Sequence, residues 1–216
     1  MTTEEAIQKR KTVKLRADPF HPLPLVKNSD YKSTVEELLQ LAGKAPFHYE
    51  SRQNRRSEDL PGTEPWRFHV LDCKNCRLLL KSLNLEIPLK APEGIRQMLA
   101  AADSLIITTW LPEPSRKNTR TFYPNLKNME HIAAAGAAVQ NLLLAATSRD
   151  INAYWSSGGV LRKPKTLSFL GIPNHEILIG AIFLFPDEFP ESVETKTGKN
   201  VDKRGSTDDF MRWVQV

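Results

Sequence analysis

Only two cysteines, Cys73 and Cys76, stand among 216 residues. That excludes a disulfide framework and suits a reducing compartment. No membrane span is expected. The uncharged segment Ile132 to Thr147 is shorter than the roughly 20 apolar residues a span needs, and it carries Gln140 and Asn141 midway. The first sixteen residues, MTTEEAIQKRKTVKLR, hold no apolar core. They do not form a secretory signal, so a cytoplasmic protein is expected. Also absent are the phosphate loop GxxxxGKS/T, the dinucleotide fingerprint GxGxxG and the zinc motif HExxH. Ser156 and Ser157 lack the nucleophile-elbow pattern. The five histidines, His21, His48, His69, His131 and His175, are scattered without metal-ligand spacing, so no metal is expected. His69 and His131 are read as structural. The net charge is +5 and the pI about 9.2. The cations are dispersed and no binding motif accompanies them, so no nucleic-acid partner is expected.

What is present fits a folded chain. Hydrophobic residues make up 40% and charged residues 25%, as in globular domains. There are no repeats and no low-complexity tracts. One domain over 1–216 is the better prior for this length. The segment IAAAGAAVQNLLLAAT, Ile132 to Thr147, is apolar or small on every side. Such a helix must be buried, between layers or between subunits. Ala133 with Ala137 and Ala134 with Ala138 are spaced for close packing against another helix. On spacing alone an ordinary contact within the domain and a dimer seam are equally good.

The pattern predicts further elements. Thr2 with Glu5 forms a capping box for a helix from Thr3 to about Arg10, and Lys11 to Leu15 is an exit segment. Asp18 to Asn28 is a loop with three prolines. Thr34 with Glu37 suggests a cap for a helix ending at Gly43. Pro46 to Glu64 is a long polar loop or a partly ordered lid. Trp66 to Leu71 alternates as a strand. Helices follow at Lys74 to Leu83 and at Pro92 to Ala102, the latter with proline in its first turn. Ser104 to Trp110 is a strand, Leu111 to Asn128 a polar loop, and Met129 to Arg149 the long helix. Ile151 to Trp155 is a strand and Lys163 to Leu170 a short helix. Ile177 to Phe185 reads as a strand covered on both faces. The polar tail from Pro186 needs something to hold it, such as a neighbouring subunit. The whole suggests an α+β domain with helices on both faces of one sheet.

Four patches could carry chemistry. Arg10, Lys11 and Thr12, with Lys14, sit at a helix C-terminus. They either complement the helix dipole or capture a phosphate, where a guanidinium clamps two oxygens. Trp155, Ser156, Ser157, Gly158 and Gly159 follow a strand. They form either a plain turn or one whose backbone N–H groups meet a planar ligand. Lys203 and Arg204 are a solvated tail or a second basic site. Cys73 and Cys76 have CxxC spacing, but no second pair supports zinc and no thioredoxin pattern surrounds them. They read as two thiols at a strand-to-helix junction.

Taken in order along the chain, these pieces resemble the nitroreductase family of FMN-dependent oxidoreductases. The likeness runs from Glu4 to about Val214. It rests on Ala6 to Thr12, Leu38 to Pro46, Glu64-Pro-Trp-Arg-Phe68, the alanine-rich helix, Asn152 to Trp155, and Leu170-Gly-Ile-Pro173 before Ile177 to Phe185. It implies a three-layer α+β fold with a mainly antiparallel central sheet flanked by helices, in an intertwined homodimer. One FMN-binding domain would span 1–216, with a loop insertion at about 47–64 and a C-terminal extension from about 187. NADH or NADPH would donate hydride to flavin N5, and a small-molecule acceptor such as a nitroaromatic or quinone would take it. Dehalogenation, flavin reduction and a non-catalytic flavin-storage role are the alternatives the resemblance leaves.

The resemblance also implies roles. Arg10, Lys11 and Thr12 hold the phosphate and ribityl chain, and Lys203 and Arg204 complete the phosphate site. Lys14 reaches the pyrimidine edge, where a charge-assisted hydrogen bond contributes ~1.5–3 kcal/mol. The backbone of Ser157 and Gly158 faces N5, beside Trp155 and Ser156. Pro46, Phe47 and His48 come from the other subunit. Phe47, Tyr123 and Trp155 are candidate aromatic walls. No side chain acts as acid or base, because the flavin carries the chemistry. The chain departs from the family pattern where Gly62 replaces an asparagine and Glu64 a glutamine, and where the charged stretch Tyr49 to Asp59 follows His48. These changes bear on the substrate more than on the cofactor.

Overall fold

The computed structural model describes residues 1–25, 30–86, 94–114, 123–198, 200 and 203–216. Helix α1 (Thr3–Lys9) begins at its capping box: Thr2 Oγ1 accepts from Glu5 N–H, and Glu5 Oε2 accepts from Thr2 N–H. The next segment is not a plain exit. Val13–Arg16 is strand β1, with Val13 and Leu15 buried and Lys14 and Arg16 turned outward. It pairs antiparallel with Glu194–Thr197, the last strand of the chain, Val13 opposite Thr197. Both strands escape sequence reading because each has four residues and ETKT is polar and exposed throughout. The first part of the tail is therefore held by its own chain.

Helix α2 (Asp30–Ala42) starts about a turn before Thr34. Glu37 does not close a cap there; its carboxylate meets Arg149 at 3.2 Å. Strand β2 (Trp66–Asp72) runs into α3 (Cys73–Glu86), and α4 (Gly94–Ala101) leads to β3 (Ser104–Trp110). Pro92, expected in the first turn of α4, lies outside the described residues, as does 115–122 of the polar loop. Helix α5 (Leu126–Ser148), strand β4 (Asn152–Ser156), helix α6 (Pro164–Phe169) and strand β5 (Ile177–Phe185) follow, and β6 is Glu194–Thr197.

One four-stranded sheet, ordered β2-β3-β5-β4 and antiparallel at every step, forms the centre. Alternation assigns its faces. Leu105, Ile107, Ala181, Phe183 and Phe185 pack with α3 and α4. Ile106, Ile182 and Leu184 pack with α2 and α5. The central strands β3 and β5 are covered on both sides, which is why they read as continuous apolar runs. The three-layer α+β architecture expected from the resemblance is present.

Within a single chain α5 is covered on one side only, by way of Ala134, Ala135, Ala138, Val139 and Leu142. Its other side stays open: Met129, Ala133 and Gln140 are exposed, and a Cβ on Gly136 would meet nothing within 4 Å. The end of the chain is open too, with Phe210 76% and Trp213 89% exposed. Among the described residues no helix is long and apolar enough to cross a membrane.

Candidate functional site

Strand β4 brings two of the four sequence patches into a line. Beside its first residues lies a cavity of about 180 Å³ lined by Lys9, Arg10, Lys11, Val13, Thr147 and Asn152 among others. Arg10 caps α1, its N–H bonded to Ala6 O. Lys9 is tied to Asp150 at 2.5 Å, which leaves Arg10 and Lys11 as the cations of this cavity. Thr12 is half-buried next to them. At mid-strand, Lys14 Nζ lies 4.5 Å from the centre of the Tyr154 ring, a cation–π contact.

At the far end the chain turns sharply. Ser156 is buried and pairs with Ala181 on β5, and its Oγ accepts the Gly158 N–H at 3.1 Å. Gly158 has φ +100° and Gly159 φ +50°, left-handed values that side chains disfavour. A Cβ at 158 would also sit 2.6 Å from Leu178 Cδ2. Ser157 is exposed, and Trp155 is 37% exposed. The Trp155 indole lies against Gly180, where any Cβ would overlap its Nε1. At about 3.3 Å per residue, the five residues of β4 separate the basic cavity from the glycine turn by roughly 15 Å.

The other predicted residues lie apart from this line. Phe47 meets Trp66 edge-on at 5.6 Å, and His48 Nδ1 pairs with Glu130 on α5 at 2.9 Å. Pro46 is exposed beside them. Trp66 opens β2, at the same end of the sheet as the glycine turn but on the opposite edge. Within one chain the Pro46–His48 turn and the Ser157–Gly158 turn do not form a single site. Lys203 and Arg204 are exposed and make no ion pair among the described residues. The pairing of Thr197 with Val13 directs the chain leaving β6 toward the Thr12 end of β1. Tyr123 is exposed just ahead of α5.

The loop from 49 to 64 is tied to the rest of the chain by hydrogen bonds and ion pairs. Ser51 N–H and Oγ both donate to Thr63 O, at 2.8 and 3.0 Å, closing its base. Arg52 and Lys127 grip the buried Glu113 carboxylate, Lys127 at 2.9 Å. His175 Nε2 donates to Arg55 O at 2.9 Å. Arg67, itself buried, donates to the carbonyls of Glu64, Trp66 and Gly62 at 2.8, 2.6 and 2.6 Å. Nearby, Glu176 accepts from His69 at 2.8 Å and from Thr109. Burial pushes the Glu176 carboxyl up, but these hydrogen bonds, together with the charges of His69 and His175, outweigh it and hold it below its usual value.

His69 and His131 have the structural roles expected. His131 Nδ1 donates to Leu111 O at 3.0 Å, and burial holds its pKa down. Cys73 opens α3 directly after β2, and Cys76 is buried with its thiol pushed up by burial. Among the described residues no cluster of three or more His, Cys, Asp or Glu side chains could hold a metal ion.

The nitroreductase family profile matches residues 31–184. The chain belongs to the nitroreductase family. Solved structures of similar fold include a nitroreductase-like family protein from Bacillus cereus, 20% identical, with TM-score 0.67 over 100% of this chain and 97% of that one. Another is a nitroreductase with bound FMN from Bacteroides fragilis, 16% identical, TM-score 0.55 over 100% of both chains. A third is a mutant of an FMN and NADPH-dependent nitroreductase from Sphigopyxis sp. strain HMH, 13% identical, TM-score 0.60 over 100% of both. At these identities the likeness is one of fold. No curated protein matches the chain in sequence.

Sequence reasoning missed four residues of this nitroreductase-family chain, three on or beside β4 and Arg67 on the opposite edge of the sheet. Tyr154 lay inside a quoted motif, but nothing marked it as the partner of Lys14. Gly180 sits within an apolar strand, where a lone glycine signals a close approach. Arg162 and Arg67 bind backbone carbonyls, a role that leaves no spacing pattern in a sequence.

Proposed function

We propose that this chain is an FMN-dependent oxidoreductase, active as a homodimer, that takes hydride from NADH or NADPH and passes it to a small-molecule acceptor such as a nitroaromatic or a quinone. The observation that carries the proposal is the line along β4. A basic cavity, a lysine over an aromatic ring and a sharp glycine turn follow one another over roughly 15 Å, comparable with an extended FMN. The residues fit the cofactor. Its neighbours in fold from Bacteroides fragilis, with FMN bound, and from Sphigopyxis, FMN and NADPH-dependent, support the same reading.

When bound, FMN supplies the atom that accepts and returns hydride. The chain supplies binding and electrostatics. Arg10 and Lys11 would hold phosphate oxygens, a guanidinium being suited to a two-pronged grip. Thr12 adds a hydroxyl bond, and Lys203 and Arg204 approach from the C-terminal segment. Lys14, steadied over Tyr154, puts a positive charge at the pyrimidine edge and favours the reduced state. The Ser157–Gly158 turn would face N5, with Ser156 Oγ holding the Gly158 N–H and Trp155 forming a wall. Pro46, Phe47 and His48 reach the site from the second copy. That arrangement accounts for their position on the far edge of the sheet. It also gives the open side of α5 and the exposed arm from Phe210 to Val214 something to cover them.

The test is the visible spectrum of the purified protein, followed by NADH and NADPH oxidation with menadione or a nitrofuran. Flavin absorbance, or uptake of added FMN, together with turnover is expected. A colourless protein that takes up no FMN defeats the reading. A yellow protein without turnover defeats the enzyme and leaves a flavin-storage protein. Gel filtration tests the dimer, and Gly136→Trp is expected to split it.

A further inference from the structure

Arg162 belongs to none of the motifs that carry the family resemblance. It ends a short 3-10 turn, Gly159–Arg162, directly after the glycine turn. Its guanidinium is bound by three backbone carbonyls: Nε donates to Ser157 O, Nη1 to Leu178 O at 2.8 Å, and Nη2 to Ile179 O at 3.2 Å. These oxygens belong to two segments, the turn after β4 and the start of β5. The arginine therefore staples the turn to the sheet. Its stem closes on the same place, since a Cβ at Gly158 would lie 3.3 Å from Arg162 Cγ.

The manner of binding matters for charge. Carbonyl oxygens satisfy guanidinium donors without neutralising the cation. The buried carboxylate lining the adjacent cavity of about 480 Å³, Glu176, is bonded to His69 and Thr109. So a fixed positive charge stands beside the Ser157–Gly158 peptide, and the side chain carrying it also sets that peptide's orientation.

We propose that Arg162 is a positioning residue of the flavin site, which locks the Ser157–Gly158 turn and keeps an unneutralised positive charge against the flavin. The proposal rests on the flavin reading above. Uptake of a hydride, two electrons and one proton, adds one negative charge to the ring system. A nearby cation favours that charged state over the oxidised one.

The experiment compares full-length wild type with Arg162→Gln, Arg162→Met and Arg162→Lys. Glutamine and methionine remove the charge in two shapes, so failure of either variant to fold leaves the other. Lysine keeps the charge but loses the three-pronged grip. The readout is the ratio of reduced to oxidised FMN dissociation constants. That ratio is expected to rise about tenfold in the uncharged variants, about 30 mV in midpoint potential for a two-electron couple. In Arg162→Lys it stays within about threefold of wild type. Without flavin, amide exchange at Gly158 and Gly159 is expected to quicken in all three variants, which reports the lock apart from the charge. An unchanged ratio in the uncharged variants, or an equal rise in the lysine variant, overturns the proposal. A wild-type protein that takes up no FMN instead removes the flavin reading beneath it.

Discussion

The two ends of the four-stranded sheet handle buried charge in opposite ways. At the end formed by Trp66, Trp110, Ile177 and Ser156, buried charged groups have partners. Glu176 is bonded to His69 and Thr109, Glu113 to Arg52 and Lys127, and Arg67 to three carbonyls. At the other end, past Asp72, Ser104, Phe185 and Asn152, the buried Asp103 lies near the exposed Asp187, which has Glu188 and the Lys9-paired Asp150 beside it. Burial pushes Asp103 up to about 6. Asp187 is raised as well, by burial and by the charges of Asp150 and Glu188. Arg77 lies near Asp103 but donates to the carbonyls of Leu99 and Ala102. The core strands between are equally apolar, so the fold does not demand the difference. Paired charges fix geometry, and the paired end is the one that holds the glycine turn.

The largest effect is expected where that fixed geometry is steric. Gly158→Val forces a branched side chain into a left-handed backbone and against Leu178. A left-handed conformation alone disfavours an ordinary residue by about 1–2 kcal/mol, and the clash adds to it. FMN uptake is expected to fall by a factor of at least about 100, from 2.7 kcal/mol or more of lost fit, measured by flavin fluorescence titration. Gly171→Ala is the matched control. It too has positive φ, +69°, but a Cβ there meets nothing within 4 Å. It should lower stability by about 1 kcal/mol and leave FMN affinity unchanged. Equal loss of FMN in both variants would show that the turn is not special.

Next comes the paired carboxylate. Glu176→Gln keeps the volume but removes a charge that His69 and Thr109 both address. About 2 kcal/mol of stability should go at pH 7, read from urea unfolding. Because the folded carboxyl titrates below its usual value, its contribution is present above the unfolded pKa of about 4.5 and is lost as pH falls through the folded one. The gap between variant and wild type should therefore narrow at pH 3.5. A gap that holds at low pH would mean that packing, not charge, is what Glu176 supplies.

This contrast between ends was not legible in the sequence, although much else was. Alternation and apolar runs gave β2, β3, β4 and β5 to within a residue or two, because one or both faces of each strand are buried. The capping box at Thr2 was read correctly, the one at Ser206 was not seen, and Thr34 was misread. The Ser/Thr-x-x-Glu pattern also occurs inside a helix when the glutamate has another partner, here Arg149. Strands β1 and β6 were missed because β1 alternates over only four residues and β6 is polar throughout; each exists through the other. The basic patch, Lys14 and the glycine turn were found as separate motifs. Their alignment needs β4 as a common rail, and that is a tertiary fact. Glu176, Glu113 and Asp103 look alike in a sequence, and only burial and partners distinguish them.

The acidic end should respond in the reverse sense and by less. Asp103→Asn removes a carboxyl whose folded pKa lies above its unfolded value of 3.8. Such a group binds its proton more tightly when folded, so stability falls as pH rises from about 4 to about 6 and stays lower above that. The asparagine variant should be more stable than wild type at pH 7, on the order of 1–2 kcal/mol. That gain should vanish near pH 3.5. Destabilisation at pH 7 would show that the carboxylate has a partner worth more than its desolvation, and the contrast between the ends would collapse.

The smallest effect is expected at Cys73, also at the acidic end. It is the first residue of α3, half-buried, and lines a cavity of about 470 Å³ with Tyr31, Val35 and Val70. Its neighbour Cys76 is fully buried and keeps its contact to Leu71 O at 3.7 Å whether or not Cys73 is present. Cys73→Ala removes one sulfur beside open space, so no well-packed cavity is created and alanine suits a helix. Stability should change by less than about 0.5 kcal/mol, and FMN affinity should stay within experimental error. The sheet stands between this site and the glycine turn, so a loss of FMN affinity beyond threefold would require coupling along β2 and β3. That result would contradict the view that the Cys73 corner acts independently of the line along β4, whose basic cavity lies at the same end of the sheet beside Asn152.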